Sequence, residues 1–401
     1  MLEFLNALEA MQAEGKKLAS TKTEQIKLSQ ALGRVLSEDI HATIDVPPAD
    51  NSAMDGWAYN SKDISEVGQS LSVSQRICAG DEAQPLQLGT AARIFTGAEI
   101  PAGADTVVMQ ENCSWQDKQN VIINKLDQSG ANIRRRAQDI AQGSCILKAG
   151  QLLDARQIGL LASIGINKIK VQTRLRIALI STGDELIPAG KGPLKPGQIY
   201  DSNGPMLEAY ARELGCNIVM RSHAPDDLQA SETLFKEAAE KAELILSCGG
   251  VSVGEEDHVR TALENLGELD FWKIRIKPGK PLAYARLPKK DGGTCAFIGL
   301  PGNPVSAYVC CHLFASTLVR AMQTQQHCFP KSRQATSAFN IKQTGKRPEF
   351  IRVIETEKGL ERYSNQSSGV LSSVAWADAL ALLPEQTEIE LGQSLEIFPL
   401  S

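Results

Sequence analysis

No uncharged apolar run in this sequence reaches the length needed to cross a bilayer. Its longest uncharged apolar stretch, VSAYVCCHLFASTLV at residues 305–319, falls short of the roughly 20 residues required and reads as a buried helix. The opening MLEFLNALEAMQAEG lacks the basic start and the cleavage site of a secretory signal, so a cytoplasmic location is expected. No strong charge of either sign is present. A net charge of −5 gives no reason to expect nucleic acid or an anionic membrane as a partner. The nine cysteines contain no C-x-x-C pair, and the five histidines fit no metalloprotease spacing. An odd, scattered set of cysteines suits buried, reduced thiols better than a disulfide framework. Internal repeats and low-complexity segments are also missing.

What is present is a soluble globular composition, 42% hydrophobic and 22% charged, over 401 residues. That length exceeds one ordinary core and predicts two to four domains. From Arg174 the chain alternates regularly. RLRIALIS, CNIVMRSH and ELILSC read as strands, each followed by a helical segment with a polar cap. DFWKIRIK, PLAYARL and CAFIGL read as further strands before a long helix from NPVSAYV to about Met322. Strands separated by single helices predict a doubly wound, mostly parallel sheet. Residues 41–136 differ, with short β-like runs broken by Gly, Pro, Asn and Asp, and predict a small β domain. After residue 327 the chain is again β-rich, and QTQQHCFPKSRQ at 323–334 reads as a polar linker.

In such a sheet, ligands bind beyond the carboxyl ends of the strands. The first strand runs into Thr182, Gly183, Asp184 and Glu185, and the second into Asp226 and Asp227. The third runs into CGGVSVGEEDHV, with Gly249, Gly250, Ser252 and Asp257. Glycines before a helix let a backbone approach phosphate, but carboxylates beside phosphate need a cation between them. Magnesium suits that role, because it takes one or two carboxylates plus phosphate oxygens. Lys273, Arg275 and Lys277 alternate, so they are expected on one strand face, and Lys280 follows a Pro-Gly turn. GLPGNPVS, with Pro301, is another turn before a helix that could cradle an anion. DNSAMDGWA reads on physics alone as a loop with unexplained acids, and the Arg triplet at 134–136 as a solvated face.

These segments, with FTGAEIPAGADTVVMQE and YDSN, resemble in order the signature segments of the molybdopterin molybdenumtransferase family, related to the E domain of gephyrin. The resemblance spans nearly the whole chain. It implies insertion of molybdate into adenylylated molybdopterin with release of AMP, assisted by magnesium or zinc. It implies four units, an α/β multidomain fold. These are an α+β linking domain (23–41 with 143–174), a small β domain (42–142), a doubly wound domain (1–22 with 175–326) and a β-barrel-like C-terminal domain (327–401). It further implies a homodimer whose active site is shared between subunits, and contact with the molybdopterin adenylyltransferase.

Carried over to this chain, the catalytic residues would be Asp55, Glu185, Asp257, Lys273 and Lys277. Substrate would be held by Thr96, Arg134, Asp139, Thr182, Asp226, Gly249, Gly250, Ser252, Lys280 and Pro301. Asp184, Glu185, Asp226 and Asp257 would hold the metal. Asp55, Thr96, Arg134 and Asp139 would come from the partner subunit. The sequence departs from the pattern at Ala137, Gln138 and Cys248, and Cys248 is expected to pack inertly. Two other readings differ in kind: a molybdopterin adenylyltransferase, which needs neither the small β nor the C-terminal domain, and a non-catalytic gephyrin-like scaffold, which could lose the acids and lysines kept here.

Overall fold

A computed structural model describes residues 2–115, 117–249, 258–279 and 281–400. Six strands form the sheet that organises the site. They are β1 (Arg176–Thr182), β2 (Asn217–Ala224), β3 (Leu244–Cys248), β4 (Glu268–Lys273), β5 (Pro281–Pro288) and β6 (Thr294–Leu300), in the order β2-β1-β3-β6-β5-β4. β2, β1, β3 and β6 run parallel, whereas β5 is antiparallel to both of its neighbours. The reason is local: a tight turn at residues 289–293 joins β5 to β6, far too short for a parallel crossover.

Both faces of this sheet are covered, which is why β1 and β3 read as continuous apolar runs rather than alternating ones. One face packs on the helices Phe4–Lys17 and Pro304–Met322. The other packs on Leu228–Lys241, whose Ser231, Phe235, Ala238 and Ala239 recur at helical spacing, and on His258–Leu266. Pro304–Met322 is long and apolar enough to cross a membrane, yet 89% of it is buried within the protein. It is a core helix, as the apolar stretch predicted, and it continues through a π turn at Cys311–Ala315.

The small β unit is a six-stranded sheet in which Gly56–Tyr59 lies between Thr106–Met109 and Thr90–Ile94. DNSAMDGWA is therefore not simply a loop. Its last three residues begin a fully buried strand, and a Cβ at residue 56 would stand 1.8 Å from the Val108 carbonyl oxygen, so only glycine fits. Between this unit and the doubly wound sheet, Thr23–Lys27 pairs with Lys168–Gln172 beside the helix Ala155–Ser163. That helix starts on a reciprocal capping box between Asp154 and Gln157.

The C-terminal unit is a curled antiparallel sheet of five strands in which Glu349–Thr356 and Ser394–Pro399 both flank Ala379–Leu383. It is docked, not tethered. Phe4 of the first helix packs edge-on against Phe350 and Phe398 at 5.1 and 5.9 Å. The polar segment at 323–334 is not a free linker: Cys328 is buried, and buried Gln323 donates from Nε2 to the Leu214 carbonyl at 2.9 Å. Cysteine usage matches the expectation of free thiols, seven of them buried, although Cys145 is exposed.

Candidate active site

A cleft of about 1410 Å³ opens at the edge of the doubly wound sheet where the parallel strands end, and the C-terminal unit closes one side of it. Its volume exceeds the usual small-molecule pocket and suits a ligand of dinucleotide size. In strand order, Asp226 follows β2, Thr182 and Glu185 follow β1, Gly249 follows β3, and Pro301 to Ser306 follow β6. Lys277 and Pro278 precede β5, and Arg347 with residues 366–369 comes from the C-terminal unit. The cleft thus grades from carboxylates at one end of the sheet edge to cations at the other.

Of the predicted residues, Thr182, Glu185, Asp226, Gly249, Lys277 and Pro301 line this cleft. Asp184 and Lys273 do not. Gly250, Ser252, Asp257 and Lys280 lie outside the described residues. Asp226 is free to face the cleft because its neighbour takes the structural task, Asp227 Oδ1 accepting from the Ala230 N–H at 2.7 Å to cap the next helix. The expected lysine face breaks up. β4 ends at Lys273, and Arg275 turns away to pair with Glu385 and Glu3, leaving only Lys277 of the three in the cleft.

Gly249 serves a different purpose from the one its sequence suggested. Its N–H donates to the Leu300 carbonyl at 3.1 Å, continuing the β3–β6 ladder, so that donor is not available to phosphate. Its φ is +93°, and a Cβ would stand 2.5 Å from Thr182 Oγ1. Cys248 lines the cleft yet is only 3% exposed; its thiol donates to the Pro301 carbonyl at 3.2 Å, and burial pushes its pKa up to about 12, so it stays a neutral thiol.

Several lining residues had no role assigned from sequence. Asp201 is almost fully buried, accepting from Ser181 Oγ at 2.9 Å and the Gly204 N–H at 2.8 Å, and it starts the helix Asn203–Glu213. Asn203 donates from Nδ2 to the Gly302 carbonyl at 2.7 Å and to Cys248 Sγ at 3.0 Å, while its buried Oδ1 has no partner among the described residues. The YDSN segment, quoted above only as a match, therefore builds the floor between β1 and β3. Arg347 and residues 366–369 were missed because nothing in a single sequence says which strand ends of one unit face another.

Asp55, Thr96, Arg134 and Asp139 all sit on the small β unit, and none of them lines the cleft of its own chain. Asp55 accepts from both the N–H and the hydroxyl of Thr96 at 2.8 Å, which holds its carboxyl below the usual range. Within the Arg triplet, Arg135 pairs with Asp50 at 2.6 Å and Arg136 with Asp45 at 2.5 Å. Arg134 is exposed and makes no ion pair among the described residues.

Glu185 and Asp226 line the cleft with carboxylate oxygens, the donor type that a magnesium ion takes. Among the described residues, the one group of three metal-type ligands is elsewhere, Asp39, His41 and Cys145, all exposed, with Asp39 already paired to Lys148 at 2.9 Å.

Residues 2–165 match the family described as MoeA N-terminal region (domain I and II). Residues 178–321 match a probable molybdopterin binding domain, and residues 334–400 the MoeA C-terminal region (domain IV). A molybdopterin molybdenumtransferase of Haemophilus influenzae is 36% identical over 387 residues, covering 94% of each chain. One from Nostoc sp. is 35% identical over 394 residues, covering 94% of this chain and 89% of its own. The crystal structure of a molybdopterin biosynthesis moeA protein from Pyrococcus horikosii superposes with a TM-score of 0.79 at 30% identity, covering 100% of this chain and 99% of that one.

Proposed function

The chain belongs to the molybdopterin molybdenumtransferase family and is a transferase of molybdenum cofactor biosynthesis, and from that premise we propose how its cleft works. The substrates are molybdate and adenylylated molybdopterin, and insertion of the metal is coupled to release of AMP. The observation that carries this reading is the graded cleft, with Glu185 and Asp226 at one end and Lys277 and Arg347 at the other.

At the cationic end, Lys277, Arg347 and the hydroxyl-bearing segment at 367–368 match a tetrahedral dianion, which needs several converging donors. At the acidic end, Glu185 and Asp226 would hold magnesium, with zinc as the alternative; of the other two residues proposed from the sequence, Asp184 does not line the cleft and Asp257 lies outside the described residues. The bound ion would neutralise charge on the phosphate oxygens during cleavage. An oxygen nucleophile attacks the adenylyl phosphorus, the bond from that phosphorus to the bridging oxygen breaks, the pterin keeps its phosphate with the bridging oxygen, and AMP leaves carrying the incoming oxygen. Asp201 and Asn203 hold the floor beneath it through bonds within the protein.

The cleft is completed by a second copy of the chain. The small β unit carries Asp55, Thr96, Arg134 and Asp139 away from its own cleft, and a two-fold dimer would bring them to the partner's. Arg134, which has no ion pair among the described residues where its two neighbours are paired, is the cation offered. The enzyme acts in the cytoplasm and receives its pterin from the adenylyltransferase.

The test is to mix the purified protein with molybdate, magnesium and adenylylated molybdopterin and to quantify AMP by chromatography and pterin-bound molybdenum by mass spectrometry. Both should rise in equal amounts. Molybdenum insertion without AMP would overturn the coupling, and AMP release unaffected by molybdate would overturn the role of the dianion.

A further inference from the structure

Arg352 is the largest fully buried side chain among the described residues, at 0% exposure, in the middle of the strand Glu349–Thr356. Its guanidinium bonds only neutral acceptors. Nε donates to Ser373 Oγ at 3.0 Å, Nη2 to the Ser367 carbonyl at 3.3 Å and Nη1 to the Phe350 carbonyl at 3.4 Å. No carboxylate pairs with it among the described residues. Burial draws its pKa down to about 10 against the opposing pull of nearby Glu349, so it still carries its charge at neutral pH.

The segment it holds is the C-terminal wall of the cleft. Residues 366–369 all line the cavity. The Gln366 amide clamps the Arg352 backbone from the other direction, accepting from its N–H at 2.9 Å and donating to its carbonyl at 3.0 Å. The Val305 N–H, at the start of the core helix, donates to the Ser368 carbonyl at 3.1 Å. The wall is therefore fixed between a buried cation and a helix N-terminus, both of positive sign.

We propose that Arg352 is a positioning residue for the oxyanion substrate, setting the 366–369 wall from behind and lending it positive charge without touching the ligand. A buried guanidinium with no carboxylate bonded to it, the nearby Glu349 being paired with Lys277, is costly, and a neutral amide or an apolar side chain would fill the space at less cost. The cost is offset when a dianion enters the cleft, because the attraction acts through the protein rather than through water. This rests on the reading of the cationic end of the cleft as the oxyanion site.

The experiment measures molybdate affinity by equilibrium dialysis and turnover by AMP release, for wild type, Arg352→Lys, Arg352→Gln, Ser373→Ala and Arg347→Ala, with melting curves for each. Arg352→Gln should weaken molybdate binding about tenfold, and Arg352→Lys, which keeps the charge, less than about threefold. Ser373→Ala removes the Nε acceptor from outside the cleft and should weaken molybdate about threefold, which keeps the question answerable if Arg352→Gln does not fold. For all three, kcat at saturating molybdate and the affinity for AMP should stay within about twofold of wild type. Equal losses in Lys and Gln variants, or parallel losses of molybdate and AMP affinity, would make Arg352 a packing residue and overturn the proposal. Should Arg347→Ala weaken molybdate while folded Arg352→Gln and Ser373→Ala do not, the proposal alone fails. Unchanged affinity in Arg347→Ala would overturn the oxyanion site and the proposal with it.

Discussion

Lys277 and Glu349 meet across the seam between the doubly wound sheet and the C-terminal sheet, Nζ standing 2.9 Å from Oε1. The backbones reinforce the contact, the Lys277 N–H donating to the Pro348 carbonyl at 2.9 Å and the Phe350 N–H to the Lys277 carbonyl at 2.7 Å. The cleft lysine is thus shared between its proposed ligand and a carboxylate from the neighbouring unit.

That sharing gives the first prediction. Lys277→Ala removes a cation and also leaves Glu349, whose side chain is 12% exposed, unpaired beside the anion. The molybdate KM should rise by about tenfold or more. In Lys277→Ala/Glu349→Gln the stranded charge is gone, and several-fold of the loss should return. Molybdate dependence of turnover reads both, and a double variant no better than the single one refutes the shared-charge reading.

Glu185→Gln and Asp226→Asn should each raise the magnesium concentration for half-maximal AMP release by about tenfold, since each removes one of a small set of hard ligands. Both residues sit beyond strand ends at the cleft, so melting should barely change. Superimposable magnesium curves for wild type and both variants would dismiss the carboxylate pair as a metal site.

Co-expression tests the shared cleft. Glu185→Ala chains and Arg134→Ala chains should each be nearly inactive. If each site takes Glu185 from one chain and Arg134 from its partner, a mixed dimer holds one site with both defects and one with neither. Random pairing makes about half of the dimers mixed, so about a quarter of wild-type activity should return. Were both residues contributed by one chain, every site would carry a defect, and purified mixed dimers would stay as inactive as the parents.

The core helix supplies a pH prediction. His312 is 6% exposed, bonded through Nδ1 to the Tyr210 hydroxyl at 3.0 Å, and burial lowers its pKa to about 4 from an ordinary 6.5, with Arg320 nearby adding to the shift. Tyr308 stacks on its ring. Because the folded pKa is depressed, the unfolded chain binds the extra proton, and stability is lost as pH falls from about 6.5 towards 4. The loss at full development is on the order of 3 kcal/mol. His312→Phe, compared with wild type by denaturant melts between pH 7 and 4, should show a flatter acid limb. An unchanged slope would place the acid sensitivity elsewhere.

How much of this was legible beforehand divides along physical lines. The alternation after Arg174 and the carboxylates beyond β1 and β2 follow from periodicity and from where open sheets bind ligands, and both Glu185 and Asp226 line the cleft. The lysine run misled because alternation predicts a face but not where a strand stops, and Glu385, 110 residues away, claims Arg275. Gly56 was opaque because its reason is the Val108 carbonyl, a neighbour no local pattern reveals. Gly249 resembled a phosphate turn and proved to be a ladder residue crowded by Thr182. Arg347 and the 366–369 wall depend on how one unit docks on another, through contacts such as Phe4 with Phe350.

The strand Ser394–Pro399 lies between Arg333–Thr336 and Ala379–Leu383, inside the C-terminal sheet and not at its margin. Arg347, Arg352 and the 366–369 wall all belong to that sheet or hang from it. On a translating ribosome, the strand ends that carry Glu185 and Asp226 are therefore synthesised well before the cationic half of the cleft has a framework. The wall at 366–369 has no complete sheet to hang from until this strand emerges.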